Sequence, residues 1–231
     1  MDFAKLAYLN CISNMITPER LSKMKEVLND RTRFLTVVVE DIYQSHNASA
    51  VLRTCDCFGV QDVHIIENKN RYEVNPDVAL GSSKWLDITR YNEPDSDNTR
   101  LCIDSLKQSG YLIVATSPHR DDCLLSDLPS DQKLALAFGN EKDGLSETLL
   151  RHADVYMRIP MSGFTESLNI SVSAAVCLYS LTSRMRSSGV SWQLRDDEKT
   201  DILTHWIEQT LSHPGLIRKE FNKRFESGKD T

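Results

Sequence analysis

Three short polar clusters hold the residue types that could do chemistry in this chain. Asn47 and Arg53 form the first; Gly139-Asn140-Glu141-Lys142-Asp143-Gly144-Leu145-Ser146 lies between two apolar runs; Glu166-Ser167-Leu168-Asn169-Ile170-Ser171-Val172-Ser173 opens a long apolar stretch. Together they offer a guanidinium, carboxylates, carboxamides and hydroxyls, with glycines that leave backbone groups free for a ligand. Such loops are costly between buried strands unless their N–H and C=O groups find partners. The three clusters therefore read as one composite site that grips a small molecule.

The elements that must position these clusters alternate. Thr17-Pro18-Glu19 caps a helix bearing Leu21, Met24, Val27 and Leu28 at helical spacing. Residues 34–39 form a β-branched strand, 47–58 a helix stopped at Gly59, and 63–66 a second strand. Residues 67–84 read as a loop, 95–109 as a helix, and 111–116 and 133–138 as strands. A short helix over 146–152, a strand over 155–159, a long helix over 167–186 and two last helices near 196–211 and 215–226 complete the chain. Alternating strands and helices imply an α/β fold with a mostly parallel sheet covered on both faces. Ligands bind such sheets beyond the carboxyl ends of the strands, which is where all three clusters fall. The predicted division is an N-terminal helical extension (1–33), a central domain (34–188) and a C-terminal helical extension (189–231).

Composition narrows the function. The 231 residues, 40% hydrophobic and 26% charged, suit a globular chain with a substantial core. No run approaches the roughly 18–20 apolar residues that span a bilayer, and the N-terminus lacks a signal pattern, so a cytoplasmic protein without a membrane partner is expected. The cysteines are scattered without a Cys-x-x-Cys pair, and the histidines lack paired spacing, so free thiols and no metal are expected. The net charge of −6 argues mildly against nucleic acid. Two segments run the other way. Arg20, Lys23, Lys25, Arg31 and Arg33 outnumber Glu19, Glu26 and Asp30, and Arg218, Lys219, Lys223, Arg224 and Lys229 outnumber Glu220, Glu226 and Asp230. Solvated helix faces would explain both segments equally well.

Several chemistries lack their signatures. Asn140-Glu141-Lys142-Asp143 has the look of a guanine-reading element, yet no phosphate loop ending in Gly-Lys-Ser/Thr accompanies it. A dinucleotide fingerprint and a serine-hydrolase elbow around Ser167 are also missing.

What remains is a resemblance. Asn47-x5-Arg53-x4-Phe58-Gly59, then Phe138-Gly139-Asn140-Glu141-x2-Gly144-Leu145-Ser146, then Ile159-Pro160-Met161 leading to Ser167-Leu168-Asn169-Ile170-Ser171-Val172, resemble in order and spacing the three signature motifs of the SpoU (TrmH-type) RNA 2′-O-ribose methyltransferases. The resemblance covers residues 34–186. The basic helix before the first strand and His213-Pro214-Gly215-Leu216-Ile217-Arg218-Lys219 are more loosely similar to the RNA-binding extensions of the TrmH branch, which methylates guanosine 18 in the tRNA D-loop. The resemblance implies a C-terminal trefoil knot, a homodimer, tRNA as substrate and S-adenosylmethionine as methyl donor. It also implies a donor site built from Thr116, Gly139, Asn140, Glu141, Gly144, Ile159, Met161, Ser167 and Leu168. Methylation of rRNA or another tRNA position, and a non-catalytic RNA-binding relative, stand as alternatives.

The implied catalytic group is Arg53, Asn47, Glu141, Ser167 and Asn169. The family gives the arginine matching Arg53 the place of a base. A free guanidinium has a pKa above about 12, so neutralising it near pH 7 costs several kcal/mol at about 1.4 per unit. A cationic Arg53 gripping phosphate and the forming alkoxide avoids that cost. Glu141 would orient Arg53 or the ribose, or be an exposed loop acid. Asn47 and Ser167 could each be a helix cap, an active-site group or both. Asn169 heads an apolar helix, where an unsatisfied amide is expensive. The stripe Ile170, Val172, Ala174, Ala175, Val176, Leu178 and Leu181 reads as core and dimer surface, and Trp192 and Trp206 as core or as base-stacking rings.

Overall fold

The chain runs α1 (Phe3–Ser13), α2 (Pro18–Asn29), β1 (Leu35–Glu40), α3 (Ser45–Phe58), β2 (Asp62–Ile66), α4 (Pro76–Ala79), β3 (Asp87–Tyr91), α5 (Asn98–Gln108), β4 (Leu112–Thr116), β5 (Cys123–Leu124), β6 (Leu134–Phe138), α6 (Glu147–His152), β7 (Val155–Arg158), α7 (Ile170–Ser187), α8 (Asp196–Glu208) and α9 (Pro214–Glu226). This is a computed structural model describing residues 3–73, 75–79, 81–117 and 123–227. Lys229 and Asp230 of the basic tail lie outside the described residues. The chain divides into two compact units, one of residues 32–192 and one that unites residues 1–31 with 193–231.

The larger unit is a seven-stranded parallel sheet in the order β3-β2-β1-β6-β4-β7-β5. The side-chain period of two divides its core. Val37, Val39, Leu134, Leu136 and Phe138 face α3 and α7, packing on Val51, Leu52, Ala174, Cys177 and Leu178. Val38, Ala135 and Ala137 face the opposite side with Cys102, Ile103 and Leu106 of α5 and Leu149 of α6. From β1 the chain builds outward through β2 to β3, while β4 to β7 fall on the other side. The reversal lies beside β1, so a crevice opens beyond the carboxyl ends of β1, β6 and β4.

The smaller unit is helical. Ile12, Met24, Leu28, Ile202, Trp206, Ile207 and Phe221 are buried in it. Arg31 is buried with its guanidinium 5.2 Å from the Trp206 ring, so Trp206 is a packing residue. Tyr8 donates to Glu208 Oε1 at 2.7 Å, and Arg218 grips both oxygens of Glu208 at 3.0 Å. Burial, then the bond to Glu208, raises the Tyr8 pKa to about 12. Thr17 caps α2 by accepting from the Arg20 N–H.

Several elements differ from the sequence reading. β3 was not foreseen: it is an edge strand in which Ile88 is the single aliphatic residue, and Thr89 and Arg90 are exposed. α1, also unforeseen, has apolar residues spread around its circumference rather than in one stripe. α3 starts before Asn47, with Gln44 at its cap, and α7 starts at Ile170. Cys57 is exposed; Cys55, Cys102 and Cys177 are buried, and all six cysteines are free. Trp192 packs against the sheet core, with Arg186 5.5 Å from its ring.

Candidate active site

A cleft of about 440 Å³ opens at the predicted strand ends, within the roughly 300–1,000 Å³ usual for small-molecule sites. Phe138, Met157, Ile159, Leu168 and Ile170 give it an apolar lining, while Asn47, Thr116, Asn140, Glu141, Ser167 and Asn169 supply polar groups. Gly139, Gly144 and Met161 also line it, so every residue of the expected donor site meets at this cleft.

Asn47 is the hub of the polar side. It is 3% exposed, and its amide donates to Glu141 Oε1 at 2.7 Å and Gln44 Oε1 at 3.2 Å. Its oxygen accepts from the Asn169 amide at 3.2 Å. Capping does not explain it, because Asn47 lies inside the first turn of α3. The second oxygen of Glu141 accepts from the Tyr43 N–H at 3.1 Å. Both carboxylate oxygens are thus engaged, although Glu141 lies in the loop after β6 and is exposed. Asn169 is the N-cap of α7, taking the Ser171 N–H at 2.8 Å and the Ser171 hydroxyl at 2.6 Å. Ser167 is therefore not the cap, and its exposed hydroxyl stands at the cleft.

The loop after β6 closes on itself. Asn140 and Gly144 exchange two backbone hydrogen bonds of 2.9 Å, and Gly144 takes φ +71°, where a side chain is strained. A Cβ at Gly139 would lie 2.2 Å from the Gly144 carbonyl carbon, so only glycine fits.

Two acids at the end of β1 hold this loop in place, and the sequence reading missed both. Glu40, 2% exposed, accepts from the Ser146 N–H at 2.8 Å, the Ser146 hydroxyl at 2.7 Å and the Thr99 hydroxyl at 2.6 Å. Asp41 has φ +50°, and its carbonyl accepts from the Asn140 amide at 2.8 Å. Its carboxylate gathers the N–H groups of Asn68, Lys69 and Asn70 at 2.7–3.2 Å. The available signal was an acidic pair directly ending a β-branched run.

Thr116 ends β4 with its hydroxyl donated to the Ala137 carbonyl at 2.8 Å, tying β4 to β6 at the cleft. Arg53 is the exception. It is exposed on α3, lies outside the cleft lining, and its guanidinium makes no hydrogen bond or ion pair with any described residue. Of the expected catalytic group, Asn47, Glu141, Ser167 and Asn169 come together and Arg53 stands apart. Among the described residues no cluster of His, Cys, Asp and Glu gathers as metal ligands do.

Chemically, the cleft offers apolar walls for a flat or aliphatic group and a polar rim for hydroxyls. That lining fits a ligand with the mixed character of S-adenosylmethionine. Among the described residues, no helix is long and apolar enough to cross a membrane.

Known proteins share this plan. A tRNA (guanosine(18)-2′-O)-methyltransferase of Borreliella burgdorferi is 42% identical over 222 residues, spanning 96% of this chain and 100% of that protein. The crystal structure of a TrmH/SpoU tRNA modifying enzyme of Aquifex aeolicus superposes with a TM-score of 0.74 at 29% identity, covering 84% of this chain and 98% of the other. The SpoU methyltransferase AviRb of Streptomyces viridochromogenes, solved in complex with AdoMet, matches with a TM-score of 0.57 at 25% identity over 71% of this chain and 62% of its own. Residues 34–179, which carry the sheet, the cleft and all three polar clusters, match the profile of the SpoU rRNA Methylase family, and the chain belongs to that family.

Proposed function

We propose that this chain is an S-adenosylmethionine-dependent tRNA 2′-O-ribose methyltransferase that acts on guanosine 18 of the D-loop. The observation that carries this reading is the 42% identity to a relative of that name, maintained over 96% of this chain and the whole of the relative. The cleft supports it, since its lining suits the donor that a solved relative binds.

S-adenosylmethionine, when bound, supplies an electrophilic methyl group. Transfer to a ribose hydroxyl is an in-line displacement, so alignment dominates the barrier. Asn47 is fixed from two sides by Glu141 and Asn169, which suits it to orient the ribose at the cleft. Ser167 and Thr116 face the donor side. Arg53, a cation with no ion pair among the described residues, serves the RNA phosphate and the developing alkoxide.

The protein works as a cytoplasmic homodimer. Val172, Val176 and Tyr179 lie on one face of α7 and are 46%, 38% and 65% exposed, an apolar strip suited to a second copy. In such a dimer the Arg53 of either subunit would complete a site. The chain's path supports the knot: it leaves β6, crosses to β7 beyond β4, and returns so that α7 packs on α3. The helical unit of residues 1–31 and 193–231 is the RNA-binding extension, with Lys219, Lys223 and Arg224 exposed on α9. Arg31 and Arg33 take no part, because Arg31 is buried and Arg33 bonds to Asp62 and Asp87.

The test is transfer of tritiated methyl from S-adenosylmethionine to unmodified total tRNA, followed by digestion and nucleoside mapping. Label in 2′-O-methylguanosine of the D-loop is expected. Transfer to rRNA or another tRNA position would overturn the substrate; donor binding without transfer to any RNA would indicate a binding-only relative.

A further inference from the structure

Tyr43 is 61% exposed, although the residue before it is buried and the residue after it lines the cleft. An aromatic ring left in water is informative when its backbone is fixed. The Tyr43 N–H donates to Glu141 Oε2 at 3.1 Å, so its backbone is fixed by the same carboxylate that holds Asn47. Lys142 approaches from the neighbouring loop, with its ammonium 4.8 Å from the centre of the Tyr43 ring. Its own N–H donates to Asn140 Oδ1 at 2.8 Å, inside the closed loop. Their chain neighbours Gln44 and Glu141 line the cleft, while Tyr43 and Lys142 themselves lie just outside its lining and are exposed. The ring is not part of either buried cluster of the sheet unit, so folding does not explain its place. One open aromatic face with a cation beside it is the chemistry that takes an unstacked base and its phosphate.

We propose that Tyr43 and Lys142 form a nucleotide platform at the rim of the cleft. The Tyr43 ring stacks on a base splayed from the RNA next to the target ribose, and the Lys142 ammonium pairs with the adjoining phosphate. The proposal rests on the reading of the protein as an RNA ribose methyltransferase, and it names two substrate-binding residues outside the three polar clusters' assigned roles.

The experiment measures methyl transfer to unmodified tRNA, and donor binding by calorimetry, for the full-length protein and for Tyr43→Ala, Tyr43→Trp and Lys142→Ala. Stacking on one base corresponds to roughly a 10-fold to 100-fold rise in the KM for tRNA in Tyr43→Ala, with Tyr43→Trp restoring it. Lys142→Ala should lower the slope of log affinity against log salt by about one. Donor affinity should stay at the wild-type value in all three. An unchanged KM for tRNA in Tyr43→Ala overturns the platform, as does equal damage in Tyr43→Ala and Tyr43→Trp, which would mean packing rather than stacking. Loss of donor binding in Tyr43→Ala would make the ring a wall of the donor cleft and also overturn the proposal. Wild-type protein that transfers to no RNA would overturn the functional reading itself, a result distinct from any failure confined to the variants.

Discussion

Replacing Glu40 should separate the stability of the fold from the order of the donor loop. The carboxylate is 2% exposed and accepts three hydrogen bonds, two of them from Ser146. Glu40→Ala removes both acceptor oxygens and with them all three bonds. The Thr99 and Ser146 hydroxyls can turn elsewhere, but the Ser146 N–H cannot, and an unpartnered buried donor costs roughly 1–3 kcal/mol. Adding the void left by the side chain brings the loss to about 2–5 kcal/mol, a large part of the usual 5–15 kcal/mol. Glu40→Gln keeps the volume and one oxygen, yet turns an amide N–H toward a donor, so its cost is about 1.5–3 kcal/mol. The same change releases the end of the loop at Ser146, while the Asp41 carbonyl still holds Asn140. Donor affinity should therefore fall roughly 10-fold to 100-fold in Glu40→Gln, taking 1.4–2.8 kcal/mol of loop ordering as lost. Urea unfolding and donor calorimetry on the folded variant measure the two effects. Leu28→Ala, in the buried core of the helical unit, is the control: it should lose about 2–5 kcal/mol and keep donor affinity. If Glu40→Gln binds the donor as tightly as wild type, or if Leu28→Ala weakens binding equally, Glu40 does not order the loop through Ser146.

Gly139→Ala places a Cβ 2.2 Å from the Gly144 carbonyl carbon in a loop closed by two backbone bonds; it should cost roughly 1–3 kcal/mol and abolish donor binding, and wild-type calorimetry would refute the closed loop. Arg53→Ala should abolish methyl transfer while donor affinity changes little, because Arg53 lies outside the cleft lining; equal loss of donor binding would make Arg53 structural. His64 packs beside Tyr91, and burial pushes its pKa from 6.5 down to about 4. Between those values the unfolded chain binds a proton that the folded chain refuses, so stability is complete above about pH 6.5. It falls as pH drops toward 4, by at most about 3 kcal/mol. His64→Gln should flatten that part of the stability curve in urea titrations at stepped pH, and an unchanged slope would assign it to other groups.

The layers of the sheet unit were legible because its strands are short β-branched or aliphatic runs and its helices end at glycines. Val37 to Val39 and Leu134 to Phe138 announce buried strands by composition alone, and Gly59 stops α3 in the left-handed conformation a glycine permits. The edge strand β3 was not legible, since a strand with one face open to water needs few apolar residues. The cleft was legible as three polar clusters because glycines and carboxamides are poor choices between buried strands unless they bind something. The role of Asn47 was not: a carboxamide at a helix start looks like a cap, and only the fold brings Glu141 and Asn169 to it across 94 and 122 residues of chain.

Glu40 and Asp41 mark where a sequence reading of this site stops. An acid at the end of an apolar run reads as the first residue of a loop, because its burial depends on partners contributed by distant segments. The strand order supplies those partners. It sets β6 beside β1 in parallel register, with Val39 paired to Phe138. The residues following both strands must therefore leave the sheet side by side, and the loop after β6 emerges within reach of the acids after β1. Glu40 takes the far end of that loop at Ser146, and Asp41 takes its near end at Asn140. Glu40 accepts with its carboxylate and Asp41 with its backbone carbonyl, in a partly dry environment where a satisfied bond is strong and an empty one costly. The neighbouring strand thus adds anchors at both ends of a glycine loop that its own two backbone bonds already close. The second carboxylate oxygen of Glu141 reaches the Tyr43 N–H for the same reason: the segments that follow β1 and β6 leave the sheet side by side.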